Sequence, residues 1–169
     1  SVYGNVDTPL EYVLTYGEIL DADLSKLQIY RESGTAAGDY AILANMSSKN
    51  YKLSVKTGIY SIKPAPIGIT ILDKSSEYGA AMQTLEYSIT SGAVYYNDNL
   101  GVVLHTTATN QSEPGTYTIE GAFNNPNYVI TFDVGTYTIT TPTNALIDMD
   151  TGVVVYLDQQ YSADLSLNV

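Results

Sequence analysis

The chain writes one module twice. Tyr3-Gly4, Leu10-Glu11-Tyr12, Thr15 and Gly17 recur in the same order as Tyr78-Gly79, Leu85-Glu86-Tyr87, Thr90 and Gly92, 75 positions later. Further on, Gly38-Asp39-Tyr40, Asn50-Tyr51 and Gly58-Ile59-Tyr60-Ser61-Ile62 recur as Gly115-Thr116-Tyr117, Asn127-Tyr128 and Gly135-Thr136-Tyr137-Thr138-Ile139 at an offset of 77. A two-residue insertion in the second copy reconciles the offsets. Whatever this sequence folds into must therefore fit into about half of 169 residues, which allows a small unit with a modest core and favours an array over one large domain.

Within each copy the apolar residues alternate. Tyr117-Thr118-Ile119, Tyr128-Val129-Ile130-Thr131-Phe132 and Tyr137-Thr138-Ile139-Thr140 are rich in β-branched and aromatic residues and are separated by Gly, Pro, Asn and Asp. Such stretches predict short strands joined by turns. The Asn-Tyr strand and the Gly58 or Gly135 strand are expected to form a closing hairpin in each copy. Leu20 to Tyr30 comes closest to a helical pattern and is expected to hold one short turn. The class is all-β: two tandem small antiparallel β-sandwich modules of Ig-like type, with a β-grasp-like arrangement as the alternative for so short a unit.

Proline sets the boundaries. Pro64-Ala65-Pro66 and Thr141-Pro142-Thr143 follow the last strand of each copy, and proline ends a ladder by fixing φ and withholding a donor. The expected organisation is residues 1–64 as a first module, 65–142 as a second, and 143–169 as a tail that either begins a third module or closes the second with a hairpin. In the tail, Gly152–Leu157 and Ala163–Val169 read as strands. The second module opens with Ile67-Gly68-Ile69-Thr70-Ile71-Leu72, whereas the first begins almost at its Tyr-Gly, so the first is expected to lack its opening strand.

Charge excludes several function classes. Residues 1–74 hold eight acidic and all seven basic side chains, and residues 75–169 hold ten acidic and no Lys or Arg, so nearly all of the net charge of −11 lies in the second half. That surface repels phosphate backbones and anionic membranes. With no Cys there is no disulfide framework. No run reaches the roughly 20 apolar residues that span a bilayer, and Ser1-Val2-Tyr3-Gly4 has no signal-peptide character.

At these residues the chain resembles the MBG repeats of YGX type found in bacterial surface proteins and adhesins. The second copy carries the pattern through Tyr78-Gly79, Gly115-Thr116-Tyr117-Thr118-Ile119, Asn127-Tyr128, Phe132 and Gly135-Thr136-Tyr137-Thr138-Ile139. The first carries it through Tyr3-Gly4, Gly38-Asp39-Tyr40-Ala41-Ile42 and Asn50-Tyr51, with Val55 in place of the closing aromatic. The resemblance covers about residues 1–142. It implies a non-catalytic stalk or adhesive module at the bacterial cell surface, with neighbouring repeats of the same chain as partners and no resident cofactor.

Ten of the sixteen tyrosines sit at matched positions, 3/78, 12/87, 40/117, 51/128 and 60/137. A ring repeated at the same place in each module is expected to pack in the fold with its hydroxyl on backbone. Among the unmatched ones, Tyr95 and Tyr96 beside Asn97 and Asp98 form the candidate ligand site, suited to a host glycan or mucin because sugar faces stack on rings and carboxylates accept from hydroxyls. An accessory domain of a secreted glycoside hydrolase is a further alternative. Asp148 and Asp150, in Asp148-Met149-Asp150-Thr151-Gly152, are the candidate calcium ligands, with an ordinary acidic turn as the competing reading. His105, the only histidine, sits in an alternating strand without a nucleophile or acid to pair with. Lys49, Lys52, Lys56 and Lys63 raise an isopeptide staple, which the second copy, lacking matched lysines, argues against.

Overall fold

The computed structural model describes residues 1–142, 145–147 and 154–156. The strands are β1 Leu27–Arg31, β2 Gly38–Met46, β3 Gly58–Ile62, β4 Ala65–Ile71, β5 Lys74–Glu77, β6 Tyr87–Ser91, β7 Val103–Thr106, β8 Gly115–Ala122, β9 Tyr128–Asp133, β10 Gly135–Thr140, β11 Ala145–Ile147 and β12 Val154–Tyr156. One 3₁₀ turn, Asp21–Lys26, occupies the stretch where a short turn was expected. The protein is all-β.

The repeat is structural as well as textual. The first copy builds a sheet in the order β1-β2-β3, and the second builds β7-β8-β10 with β5 added outside β10. The registers agree: Tyr40 faces Tyr60 and Gly38 faces Ile62 in one, Tyr117 faces Tyr137 and Gly115 faces Ile139 in the other. The added strand is parallel, with Glu77 opposite Thr140. Its counterpart in the first copy shrinks to a parallel bridge between Val2 and Lys63, the same two positions. Tyr3 N–H donates to Lys63 O at 2.9 Å, as Tyr78 N–H does to Thr140 O at 2.9 Å.

The Tyr-Gly landmark has a backbone cause. Asn5 N–H closes on Val2 O at 3.0 Å and Ala80 N–H on Glu77 O at 3.0 Å, which makes Gly4 (φ +83°) and Gly79 (φ +84°) the third residue of a tight turn. That position needs positive φ, and glycine adopts it without steric cost.

The expected closing hairpin does not form. β10 is flanked on one edge by β8 and on the other by β5, so both of its ladders are taken. β9 pairs with β4 instead, in a second sheet of order β6-β4-β9. Gly135 makes the corner between the strands, and a Cβ there would sit 2.9 Å from both Ile71 Cγ2 and Ile71 O. In the first copy the matching stretch 51–57 is not a strand at all.

The chain packs into two compact units, one of Ser1–Ile69, Ile89–Val102 and Ala122–Thr131, the other of Thr70–Ser88, Val103–Gly121 and Phe132–Val169. In the first, Tyr3, Tyr60, Ile62, Ala65, Ile67, Ile69, Leu100 and Tyr128 are buried. In the second, Ile71, Ala108, Ile119, Tyr137 and Ile139 form the core, with Met82, Leu85, Leu104, Tyr117 and Phe132 packed against it. Alternation explains the selection: in β10, Gly135, Tyr137 and Ile139 are buried and the residues between them are not. β11 and β12 form an antiparallel pair in the tail. Val154–Tyr156 falls within the first expected tail strand, and Ala163–Val169 lies outside the described residues.

Candidate functional site

Three matched tyrosine pairs turn out to be hydrogen-bonding devices. Tyr60 Oη accepts from Thr8 N–H at 2.9 Å and Tyr137 Oη from Gln83 N–H at 2.7 Å, with donors 75 positions apart. Tyr40 Oη donates to Ala36 O at 2.8 Å and Tyr117 Oη to Glu113 O at 2.8 Å. Tyr51 Oη accepts from Leu20 N–H at 3.1 Å and Tyr128 Oη from Tyr95 N–H at 2.9 Å. Each hydroxyl thus satisfies backbone in an irregular segment, where no ladder is available to do so. Tyr12 and Tyr87 are about half exposed and depart from this scheme, and Tyr78 is exposed whereas Tyr3 is buried.

A fourth matched position lies inside this pattern. Asp23 and Asp98, 75 apart, each accept the hydroxyl proton of the matched tyrosine on Oδ2, from Tyr51 at 3.0 Å and Tyr128 at 3.0 Å. Tyr128 Oη also lies 3.3 Å from Tyr95 O. A phenol carries one proton, and the shorter contact to a carboxylate takes it. The shared offset of the two aspartates was visible in the sequence.

The candidate residues Tyr95, Tyr96, Asn97 and Asp98 form one tight turn. Asp98 N–H bonds Tyr95 O at 3.0 Å, and the central residues have φ of +54° at Tyr96 and +57° at Asn97. Two successive left-handed residues define a primed turn, which asparagine tolerates and tyrosine adopts only under constraint. The first copy spans the same positions with Asp23 N–H on Leu20 O at 2.8 Å, inside a right-handed 3₁₀ turn. The two copies therefore deliver their aspartates by turns of opposite hand.

The turn divides the four residues by role. Tyr95 is half-buried: its ring lies over Gly4, where a Cβ would come within 2.2 Å of it. Asp98 Oδ2 additionally accepts from Tyr3 Oη at 2.7 Å, so one carboxylate oxygen holds two phenols. Tyr3 meets Tyr96, Tyr128 and Tyr95 edge-to-face at centroid distances of 5.6, 5.4 and 6.2 Å, a geometry that places ring edges on ring faces. Burial first, and then the hydrogen bond to Asp98, push the Tyr3 hydroxyl up to about 12. Burial also raises Tyr128. Tyr96 stays 66% exposed and Asn97 is exposed. Of the four, then, Tyr96 and Asn97 present side chains to solvent, and Tyr95 and Asp98 build the support beneath them.

At the first-copy turn, Lys26 Nζ takes the place that Tyr3 has at Asp98, 2.5 Å from Asp23 Oδ1. Its hydrogen bond, followed by that of Tyr51, holds the Asp23 carboxyl below the usual carboxylate range. Arg31 Nε lies 2.7 Å from Asp7 Oδ2, and its guanidinium sits over the rings of Tyr40 and Tyr60 at 4.9 and 5.3 Å.

The remaining candidates have clear places. His105 is exposed on β7, the edge strand of its sheet. Lys49, Lys52, Lys56 and Lys63 are all exposed, whereas amide formation needs a desolvated, neutral amine. Asp148 and Asp150 lie outside the described residues. Among the described residues no group of three or more His, Cys, Asp or Glu side chains is arranged to hold a metal ion.

Fold and site together define a repeat-built all-β module whose shared polar side chains serve its own backbone. Residues 67–138 match the family model of the MBG domain (YGX type). That segment lies within the second copy, and the matched domain family is of non-catalytic type and is associated with surface proteins. No curated protein and no solved structure matches the chain. No helix among the described residues is long and apolar enough to cross a membrane.

Proposed function

We propose that this chain is a non-catalytic repeat segment of a bacterial cell-surface protein that acts as a stalk or spacer, with the modules 1–64 and 65–142 as successive links. The observation that carries this reading is the use of the matched tyrosines: the hydroxyls at 40/117, 51/128 and 60/137 are committed to backbone groups in both copies. A side chain reproduced in each link and spent on the link's own backbone supports architecture over recognition. The charge agrees with it. An acidic surface keeps neighbouring copies apart.

A second reading, an adhesive module binding host glycan or mucin, is favoured by Tyr96 alone. Its exposed ring, fixed in a turn, is the kind of surface on which a sugar face stacks. A glycan and mucin screen separates the two, run with and without millimolar calcium while following Tm. The stalk reading expects no saturable binding and no calcium effect. Saturable binding lost in Tyr96→Ala would overturn it in favour of the adhesive module, and a calcium-dependent rise in Tm lost in Asp148→Asn/Asp150→Asn would assign a metal site to the tail. Protease shaving of intact cells that fails to release the segment would contradict the surface location.

A further inference from the structure

The two copies are joined by more than their connector. β3 ends at Ile62 and β4 begins at Ala65, so only Lys63 and Pro64 link them covalently. A connector sets a spacing and leaves orientation to the contacts that form across it. Two sets of contacts cross this boundary, both inside the first compact unit, which takes in the whole first copy together with Ile89–Val102 and Ala122–Thr131 of the second. The larger set seats the Tyr3-Gly4 turn on the Tyr95–Asp98 turn. The first copy anchors the inserted side, with Tyr3 N–H donating to Lys63 O at 2.9 Å and Asn5 N–H to Val2 O at 3.0 Å. The second copy builds the receiving side, because Tyr128 Oη accepts from Tyr95 N–H and donates to Asp98.

Tyr3 fills the space between them. It is 4% exposed, and its hydroxyl donates to Asp98 Oδ2 at 2.7 Å, a charge-assisted bond between residues 95 positions apart. A buried tyrosine ring removes about 200 Å² from water. Gly4 lets the two surfaces close, since a Cβ there would lie 2.2 Å from the Tyr95 ring. The smaller set is a clasp: Ala37 N–H donates to Asn127 Oδ1 at 2.9 Å. Tyr40 prepares it by holding the neighbouring Ala36 O. Buried rings with satisfied polar groups have the anatomy of a docked interface, whereas loosely tethered domains leave such groups to water. We infer that the boundary is a docked joint, in which the Tyr-Gly turn of one repeat is the plug and the aromatic turn of the next repeat, with Asn127, is the socket. This joint, and not the proline connector, fixes one link on the other. Its use rests on the stalk reading, because a spacer whose links swing freely holds no defined distance.

The chain has no Cys, so Gln28→Cys and Val129→Cys place one spin label on an exposed strand position of each copy. Pulsed electron paramagnetic resonance on the labelled full chain should give a single narrow distance. Tyr3→Ala should replace it with a broad distribution, Asn127→Ala should broaden it less, and Pro64→Gly should leave it narrow. Should Tyr3→Ala fail to fold, Tyr3→Phe combined with Asn127→Ala removes both polar links and should broaden the distance in its place. A broad distribution in the parent chain, or a narrow one that survives loss of the joint residues, would overturn the inference. So would a distance that broadens in Pro64→Gly and not in Tyr3→Ala, which would return the orientation to the connector. These distances depend on neither ligand nor cell location, so glycan capture or failed shaving would sink the stalk reading and leave the joint standing.

Discussion

Tyr60 and Tyr137 occupy the same position in the two copies and make the same bond, yet they live in different surroundings. Tyr137 is fully buried among Ile71, Ile119 and Ile139, with Met82 against that core. Tyr60 is nearly as buried, but Arg31 covers its ring and Arg31 pairs with Asp7, the residue that matches Met82. What stays constant is the hydroxyl and the backbone N–H it satisfies. The wall around the ring varies freely, apolar in one copy and ionic in the other. A repeat of this kind preserves its backbone bonds first and its packing second, because an unpaired buried donor costs more than a changed neighbour.

Truncation should separate the two surroundings most sharply. Tyr137→Ala removes a ring from a closed core and is expected to cost about 3–5 kcal/mol. Tyr60→Ala should cost less, since the Arg31 side chain can follow the vacated space. Equal losses in urea denaturation would show that the two walls are energetically alike. A smaller change tests the shared aspartate device: Tyr128→Phe and Tyr51→Phe each leave a backbone donor without its acceptor and take one of two donors from the aspartate, which keeps Tyr3 at Asp98 and Lys26 at Asp23, a loss of about 1 kcal/mol. The more deeply buried Tyr128 should lose the most.

The turns at Asp23 and Asp98 should also fail at opposite ends of the pH scale. The Tyr3 hydroxyl rises from its ordinary 10.0 to about 12 on folding, and Tyr128 rises too. The unfolded chain therefore loses these protons first, and stability present below pH 10 falls as pH climbs toward 12. Asp23 moves the other way. Its carboxyl is lowered from 3.8 by Lys26 and then Tyr51, so its contribution is present above that value and is lost as pH falls through the depressed one. Asp98→Asn should flatten the alkaline limb without abolishing it, because burial is the larger cause at Tyr3. An unchanged alkaline limb would break the assignment.

The smallest effect has the opposite sign. Tyr96 holds a left-handed conformation that costs a non-glycine residue on the order of 1 kcal/mol. Tyr96→Asn should therefore stabilise the fold slightly while removing the exposed ring. A destabilised Tyr96→Asn would mean that the edge contact with Tyr3 outweighs the strain.

Much of this was legible in the sequence. Alternation and turn residues gave the strands, and the offsets gave the matched tyrosines and the repeated Tyr-Gly. Two features were hidden. β5, Lys74-Ser75-Ser76-Glu77, is a short polar strand held by its parallel ladder to β10, and nothing in its side chains marks it. That ladder is also what sends β9 to the other sheet, so the expected hairpin failed through a pairing that sequence pattern does not display. The handedness of the Tyr95–Asp98 turn was equally invisible, since tyrosine is not a residue that calls for positive φ. Asp23 and Asp98 were legible in principle. Their offset matches, but an aspartate in a turn is so common that only its tyrosine partner reveals the role.

The most direct test of the account is a tyrosine-to-phenylalanine series over all five matched pairs, read by urea denaturation of the full chain. The account predicts losses at positions 40, 51, 60, 117, 128 and 137, paired between copies, a loss at position 3 that exceeds the one at 78, and little change at 12 and 87. A flat series, or losses confined to the exposed tyrosines, would contradict the claim that these hydroxyls hold the module together.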